Sequence, residues 1–123
     1  MSPLSKNQNI AAWIGAVLAA AILAMASFSK LTGAPDSTRL FETLGVEPWG
    51  RYLVGLGELT AIVLILRPTT AAKGGALAMI MMLGAIGTHL FKIGVNYQGD
   101  GGTLFGMAVT VFVASAVVVK LRR

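Results

Sequence analysis

Hydrophobic positions cluster into four long stretches along the chain, with short polar segments between them. The stretches cover about residues 10–28, 49–66, 71–91 and 104–121. Each is close to the roughly 20 apolar residues that a helix needs to cross a hydrocarbon core about 30 Å thick. The first stretch has no polar stripe of the kind that a helix of a soluble bundle shows. The pattern predicts an all-α membrane protein, with four transmembrane helices in a single membrane domain over residues 1–123.

The connection between the first two stretches has an amphipathic pattern of its own. Residues 36–38 (DST) offer a helix N-cap, and Gly45 is a typical helix-ending residue. Between them, Leu40, Phe41 and Leu44 recur at helical spacing. This pattern predicts a short amphipathic helix that lies in the outer membrane interface.

Small side chains recur at every fourth position of the first stretch. These positions are Ala12, Ala16, Ala20 and Ala24. Because small residues let membrane helices approach closely, the row predicts a packing seam along one side of this helix.

The composition narrows the class of protein. Hydrophobic residues make up 55% of the chain and charged residues 12%, whereas a soluble domain carries about 25% charged residues. The chain has no cysteine, which excludes disulfides, iron–sulfur clusters and cysteine-based zinc sites. With one histidine as well, we predict no metal site, and no motif identifies a catalytic residue.

The net charge of +5 carries an orientation signal. In a four-span protein, six basic residues and no acidic ones share the side of both termini: Lys6, Arg67, Lys73, Lys120, Arg122 and Arg123. The other side has four basic residues, offset by acids. We therefore expect both termini to be cytoplasmic. The basic side is expected to contact membrane lipids with anionic head groups, and nucleic acid is not an expected partner.

Four ionisable residues fall in or beside the outer half of the predicted spans: Lys30, Arg51, Glu58 and His89. Placing an ionisable group at this depth costs free energy, so such residues are rare in membrane spans and are candidates for function. Taken singly, Lys30 is expected to extend to the lipid head groups. Taken together, the four residues predict a polar pocket that opens outward between the first three spans, with Glu58 and His89 as a coupled pair. Alternatively, Glu58 only pairs with Arg51 or His89 and fixes the helix register.

Four segments resemble the DoxX-like family of small membrane proteins. They are residues 28–33 (FSKLTG), 44–49 (LGVEPW), 52–59 (YLVGLGEL) and 84–89 (GAIGTH). The resemblance covers the first three spans in order, and the last span matches only as an apolar stretch. It implies a compact four-helix bundle in the bacterial cytoplasmic (inner) membrane.

The resemblance implies several different functions. The family takes its name from a subunit of a quinone-reducing thiosulfate oxidoreductase, and other relatives act in sulfur or oxidative-stress assemblies or as receptor-assembly chaperones. Within the segments that resemble the family, the residues that match its polar positions are Lys30, Glu58 and His89. The resemblance carries over no redox centre, since the chain has no cysteine and no metal or flavin motif.

We interpret the chain as a small, non-catalytic membrane subunit or assembly partner, working with other membrane subunits or as a homo-oligomer. One alternative is a quinone-binding subunit of an oxidoreductase, which would make quinone the only cofactor expected. A second alternative is a proton-linked transporter of a small solute.

Overall fold

A computed structural model describes residues 3–123, which contain helices and no strand. The five α-helices are α1 (Lys6–Leu31), α2 (Pro35–Thr43), α3 (Trp49–Ile65), α4 (Ala71–Thr88) and α5 (Thr103–Arg122). A π-helical turn, His89–Ile93, continues α4, and a short 3₁₀ turn, Tyr97–Gly99, precedes α5.

Three of the helices are long and apolar enough to cross a membrane. They are α1 with 26 residues, α4 together with its π-helical turn with 23, and α5 with 20. Helix α3 has 17 residues, a length of about 25 Å at 1.5 Å per residue. The helix bounds follow the apolar stretches of the sequence because the backbone of each stretch satisfies its own hydrogen bonds within a helix.

Large apolar side chains cover much of the outer surface. Phe28 is 72% exposed, Ile80 68% and Phe91 89%. Large contiguous apolar surface is unusual on a soluble monomer. This surface suits a hydrocarbon surrounding.

Helices α1, α3, α4 and α5 form an antiparallel ring in which α1 and α4 each pack against α3 and α5. A glycine lies at each of the four interfaces: Gly15 between α1 and α5, Gly55 between α1 and α3, Gly74 between α3 and α4, and Gly75 between α4 and α5. A Cβ atom at Gly15 would stand 2.9 Å from the carbonyl oxygen of Ala114. The absence of a side chain at these positions is therefore what allows the helices to approach so closely.

The predicted alanine seam on α1 is only partly correct. Ala12, Ala16 and Ala20 are buried, but Ala24 is exposed, and the buried face continues through Leu23. At 3.6 residues per turn, each step of four residues rotates about 40° around the helix axis. After three such steps, Ala24 has turned away from the interface.

Helix α2 covers the end of the ring opposite the chain termini, where it contacts α1 and α3. Its predicted N-cap in residues 36–38 is wrong, since the helix begins at Pro35 and its N-cap residue is Ala34. Proline suits the first helical position because its missing N–H has no partner there. Gly45 does follow the end of the helix, with a φ of 77° that glycine adopts without strain.

Candidate functional site

A cavity of about 230 Å³ lies between the helices, in the half of the bundle that α2 covers. We call it the inner cavity. All five α-helices contribute to its wall, and most of its lining is apolar. The polar side chains in the wall are Lys30, Glu58, Thr88 and His89. The site thus combines an apolar volume with a small number of polar groups, as ligand pockets in proteins commonly do.

Lys30 and Glu58 form an ion pair across the interface of α1 and α3. The Lys30 Nζ atom lies 3.0 Å from Glu58 Oε1 and donates a hydrogen bond to Oε2 at 3.3 Å. Glu58 is only 2% exposed. Because both charges are withdrawn from water, each depends on the other for compensation.

Arg51 is buried outside the lining of the inner cavity. Its Nε atom donates to both carboxylate oxygens of Glu47, at 2.9 and 3.0 Å, and its Nη1 donates to the backbone carbonyl of Lys30. That carbonyl belongs to the last turn of α1, where backbone acceptors lack helical partners. Arg51 therefore caps α1 and joins its end to the start of α3.

His89 lines the inner cavity from the π-helical turn that continues α4. Its Nδ1 atom lies 3.0 Å from the carbonyl oxygen of Gly94. Since a carbonyl oxygen only accepts hydrogen bonds, Nδ1 carries a proton, and in the neutral ring Nε2 is an acceptor. The rings of His89 and Phe105 pack edge to face, with their centroids 5.7 Å apart. These contacts hold the imidazole in place beside the cavity.

The expected direct pair of Glu58 and His89 is not formed. In the described part of the chain, Glu58 pairs with Lys30 and His89 with the Gly94 carbonyl, and no hydrogen bond or ion pair joins the two. The structure brings Lys30, Glu58 and His89 together around one cavity. It places Arg51 in the α1–α3 connection instead.

Several site residues were not found from the sequence. Glu47 precedes Arg51 by four residues, a spacing that favours ion pairs on one helical face and was a usable signal. Ser27 donates to the carbonyl of Gly55 at 3.0 Å across the α1–α3 interface. Leu40 from α2 and Met107 from α5 complete the cavity wall. No local pattern marks such lining residues, because a cavity arises from imperfect packing between distant segments.

Asp100 fixes the start of α5 beside this region. Its carboxylate accepts hydrogen bonds from the backbone N–H groups of Leu104 at 3.1 Å and Gly102 at 2.8 Å. These bonds lower the pKa of Asp100 from its usual value, and the bond from Leu104 has the largest effect. Since the folded-state pKa is the lower one, this contribution to stability is present above the unfolded-state pKa and is lost as the pH falls through the folded-state value.

The length of the apolar helices and the apolar outer surface define a helical membrane protein with a cavity inside its bundle. The chain belongs to the DoxX-like family, whose sequence model matches residues 14–118, and DoxX proteins are small membrane proteins. No curated protein and no solved structure matches the chain in the other two comparisons.

The ion pair predicts strong coupling between Lys30→Met and Glu58→Gln. Each single change leaves a buried group without its partner and is expected to lower the free energy of unfolding by up to about 3–5 kcal/mol. The double variant should lose clearly less than the sum of the two. Reversible unfolding in mild detergent gives the free energy of unfolding of the wild type, the two single variants and the double variant. Glu58→Gln combined with His89→Gln is the control and should be closer to additive, while additivity for Lys30 and Glu58 would contradict the pairing.

Proposed function

We propose that α3 is a fourth transmembrane span and that α2 lies in the outer membrane interface. Helix α3 packs in the ring between α1 and α4, so that it shares their hydrocarbon surrounding. Its outward side is apolar, with Leu53 64% exposed and Val63 54% exposed. Trp49 and Tyr52 at its start are also exposed, as expected for residues of an aromatic belt.

The same proposal gives the protein an orientation in the bacterial cytoplasmic membrane, with both termini in the cytoplasm. The antiparallel ring carries six basic residues at the end that holds the termini: Lys6, Arg67, Lys73, Lys120, Arg122 and Arg123. An excess of lysine and arginine favours the cytoplasmic side. The inner cavity then lies in the outer half of the membrane.

Reporter fusions test this orientation. Alkaline phosphatase, which is active only in the periplasm, should be active when inserted within residues 96–102 and inactive at the C-terminus. Green fluorescent protein, which folds in the cytoplasm, should fluoresce at the C-terminus. The reverse pattern would place the inner cavity in the cytoplasmic half of the membrane and contradict the proposal.

For function, we propose a small membrane subunit, without catalysis of its own, that holds a small and largely apolar molecule with one polar end. The observation that carries this proposal is the placement of Lys30, Glu58 and His89 around an apolar cavity. Lys30 supplies a hydrogen-bond donor and His89 an acceptor. The volume of about 230 Å³ exceeds that of an engineered cavity of about 150 Å³ that binds benzene. The occupied protein would work beside other membrane subunits or a second copy of the chain.

A quinone is the second candidate ligand. The Lys30 ammonium can donate to a quinone carbonyl, and the Nε2 atom of His89 can accept from the hydroxyl of the reduced form. The chain would then be a quinone-binding subunit of an oxidoreductase, and a partner protein would exchange the electrons.

Binding of 4-fluorophenol tests the function, since it joins an apolar ring to one hydroxyl. In lipid nanodiscs, ¹⁹F NMR should show a shifted resonance for the bound probe. Ala85 lines the inner cavity, so Ala85→Phe should weaken binding at least about tenfold by filling the space. The neighbouring Gly84→Ala is the matched control, because a Cβ at Gly84 meets nothing within 4 Å.

Equal binding by the wild-type protein and Ala85→Phe would show that the probe dissolves in the lipid and would contradict the proposal. Displacement of 4-fluorophenol by duroquinone, but not by durene, which carries the same four methyl groups on a six-membered carbon ring without carbonyls, would favour the quinone candidate. Displacement by both compounds, or by neither, would count against it.

A further inference from the structure

Among the residues that the structure describes, Lys30 is the one lysine withdrawn from the surface. Its side chain is 15% exposed and lines the inner cavity. The other four lysines are exposed: Lys6, Lys73, Lys92 and Lys120. An amine with apolar neighbours becomes a nucleophile once it gives up its proton, and proteins use such lysines to form imines with carbonyl compounds. The surroundings of Lys30 are therefore those of a lysine that reacts with carbonyl groups.

Glu58 is placed to take that proton. Its Oε2 atom accepts a hydrogen bond from the Lys30 Nζ atom at 3.3 Å, and its Oε1 atom lies 3.0 Å from the same nitrogen. No other group within residues 3–123 bonds to Oε1. Transfer of one proton from Nζ to Glu58 turns two buried charges into a neutral amine and a neutral carboxylic acid, and so removes the cost of keeping charges in an apolar site. The ion pair thus contains both a nucleophile and its base.

The inner cavity provides space for a carbonyl compound next to this pair. Its volume of about 230 Å³ exceeds the roughly 150 Å³ of a cavity that binds benzene, so that a small ring with a formyl group fits. The wall is mostly apolar, and its charged side chains are Lys30 and Glu58. An apolar wall favours an uncharged molecule over a charged one. It also holds little water, which protects an imine from hydrolysis.

We propose that Lys30 captures an apolar aldehyde from the membrane as an imine, with Glu58 as the proton acceptor and then as the counter-ion. The apolar part of the aldehyde occupies the inner cavity. This assignment rests on the proposed function, since it names the chemical class of the ligand in the same site and the bond that holds it.

The capture balances in atoms and in charge. Glu58 takes a proton from the Lys30 ammonium group, and the lone pair of the amine nitrogen attacks the carbonyl carbon of the aldehyde. The nitrogen then passes a second proton to the former carbonyl oxygen, which gives a carbinolamine. Glu58 returns its proton to the new hydroxyl, which leaves as water while the carbon–nitrogen double bond forms. The ammonium group and the aldehyde have become a protonated imine and water, and the positive charge beside the Glu58 carboxylate is kept.

The probe 4-fluorobenzaldehyde tests the capture in nanodiscs of phosphatidylcholine, a lipid without a primary amine. A ¹⁹F NMR resonance distinct from that of the free aldehyde should report the imine. Ammonia borane, a small uncharged reductant, then converts the imine into a stable secondary amine, and peptide mass spectrometry locates the modified lysine. The modified fraction should be at least about tenfold higher at Lys30 than at the exposed lysines, because the cavity holds the aldehyde beside the amine.

A charged aldehyde is the matched probe. The compound 4-formylbenzoate carries its aldehyde on the same ring, with a carboxylate in place of fluorine. It should modify the exposed lysines as 4-fluorobenzaldehyde does and leave Lys30 unmodified, because a carboxylate is costly to bury in an apolar cavity.

Variants separate the cavity from the ion pair. Glu58→Gln removes the proton acceptor and the counter-ion, and should lower the modified fraction of Lys30 at least about tenfold. Ala85→Phe keeps the ion pair but fills the inner cavity, and should lower it as strongly, which tests the proposal even where Glu58→Gln unfolds. Gly84→Ala is the control for Ala85→Phe and should be modified like the wild type. The exposed lysines should react equally in all of these proteins.

The outcomes distinguish this inference from the proposed function. Binding of 4-fluorophenol without an imine at Lys30, or with no more imine at Lys30 than at the exposed lysines, would overturn the imine site and leave the inner cavity as a binding site. Equal modification of Lys30 by both aldehydes, or in Ala85→Phe and the wild type, would place the reaction outside the cavity and also overturn it. Neither 4-fluorophenol binding nor imine formation at Lys30 would overturn both proposals.

Discussion

The ion pair between Lys30 and Glu58 is the interaction on which the rest of the site depends. A carboxylate that is 2% exposed in an apolar bundle needs a partner, and the pair with Lys30 provides one across the α1–α3 interface. Two further polar contacts lie along the same interface: Ser27 bonds the Gly55 carbonyl, and Arg51 bonds the Lys30 carbonyl. These bonds fix the register of α1 against α3, and the register in turn sets the polar wall of the inner cavity.

The bundle is packed differently at its two ends, and this difference makes room for the cavity. At the end that carries the termini, a Cβ atom at Gly74 would stand 2.8 Å from the backbone carbon of Leu64, and one at Gly75 would stand 3.0 Å from the Ser115 carbonyl oxygen. Helices that pack backbone to backbone leave little space between them. At the other end, a Cβ atom at Gly55 would meet only side chains, α2 covers the ring, and the inner cavity lies there.

The sequence predicted the helices well because an apolar medium leaves a long apolar segment few alternatives to helix. It also indicated which ionisable residues would be buried, because placing a charge in hydrocarbon costs free energy and such residues are rare within apolar stretches. It did not identify the partners. Lys30 was expected to extend to the head groups and instead turns inward to Glu58, while Arg51 bonds Glu47, four residues before it. The choice among these partners depends on how α1 is rotated against α3, which a spacing pattern does not determine.

The most direct test of the account is a distance measurement at the ion pair in a lipid bilayer. Lysine labelled with ¹⁵N at Nζ and glutamate labelled with ¹³C at the carboxyl carbon suffice for solid-state NMR dipolar recoupling, since Lys30 and Glu58 form the one lysine–glutamate ion pair within residues 3–123. The account predicts strong dephasing of a single lysine signal, which disappears in Glu58→Gln. No dephasing in the wild-type protein, or dephasing that persists in Glu58→Gln, would contradict it.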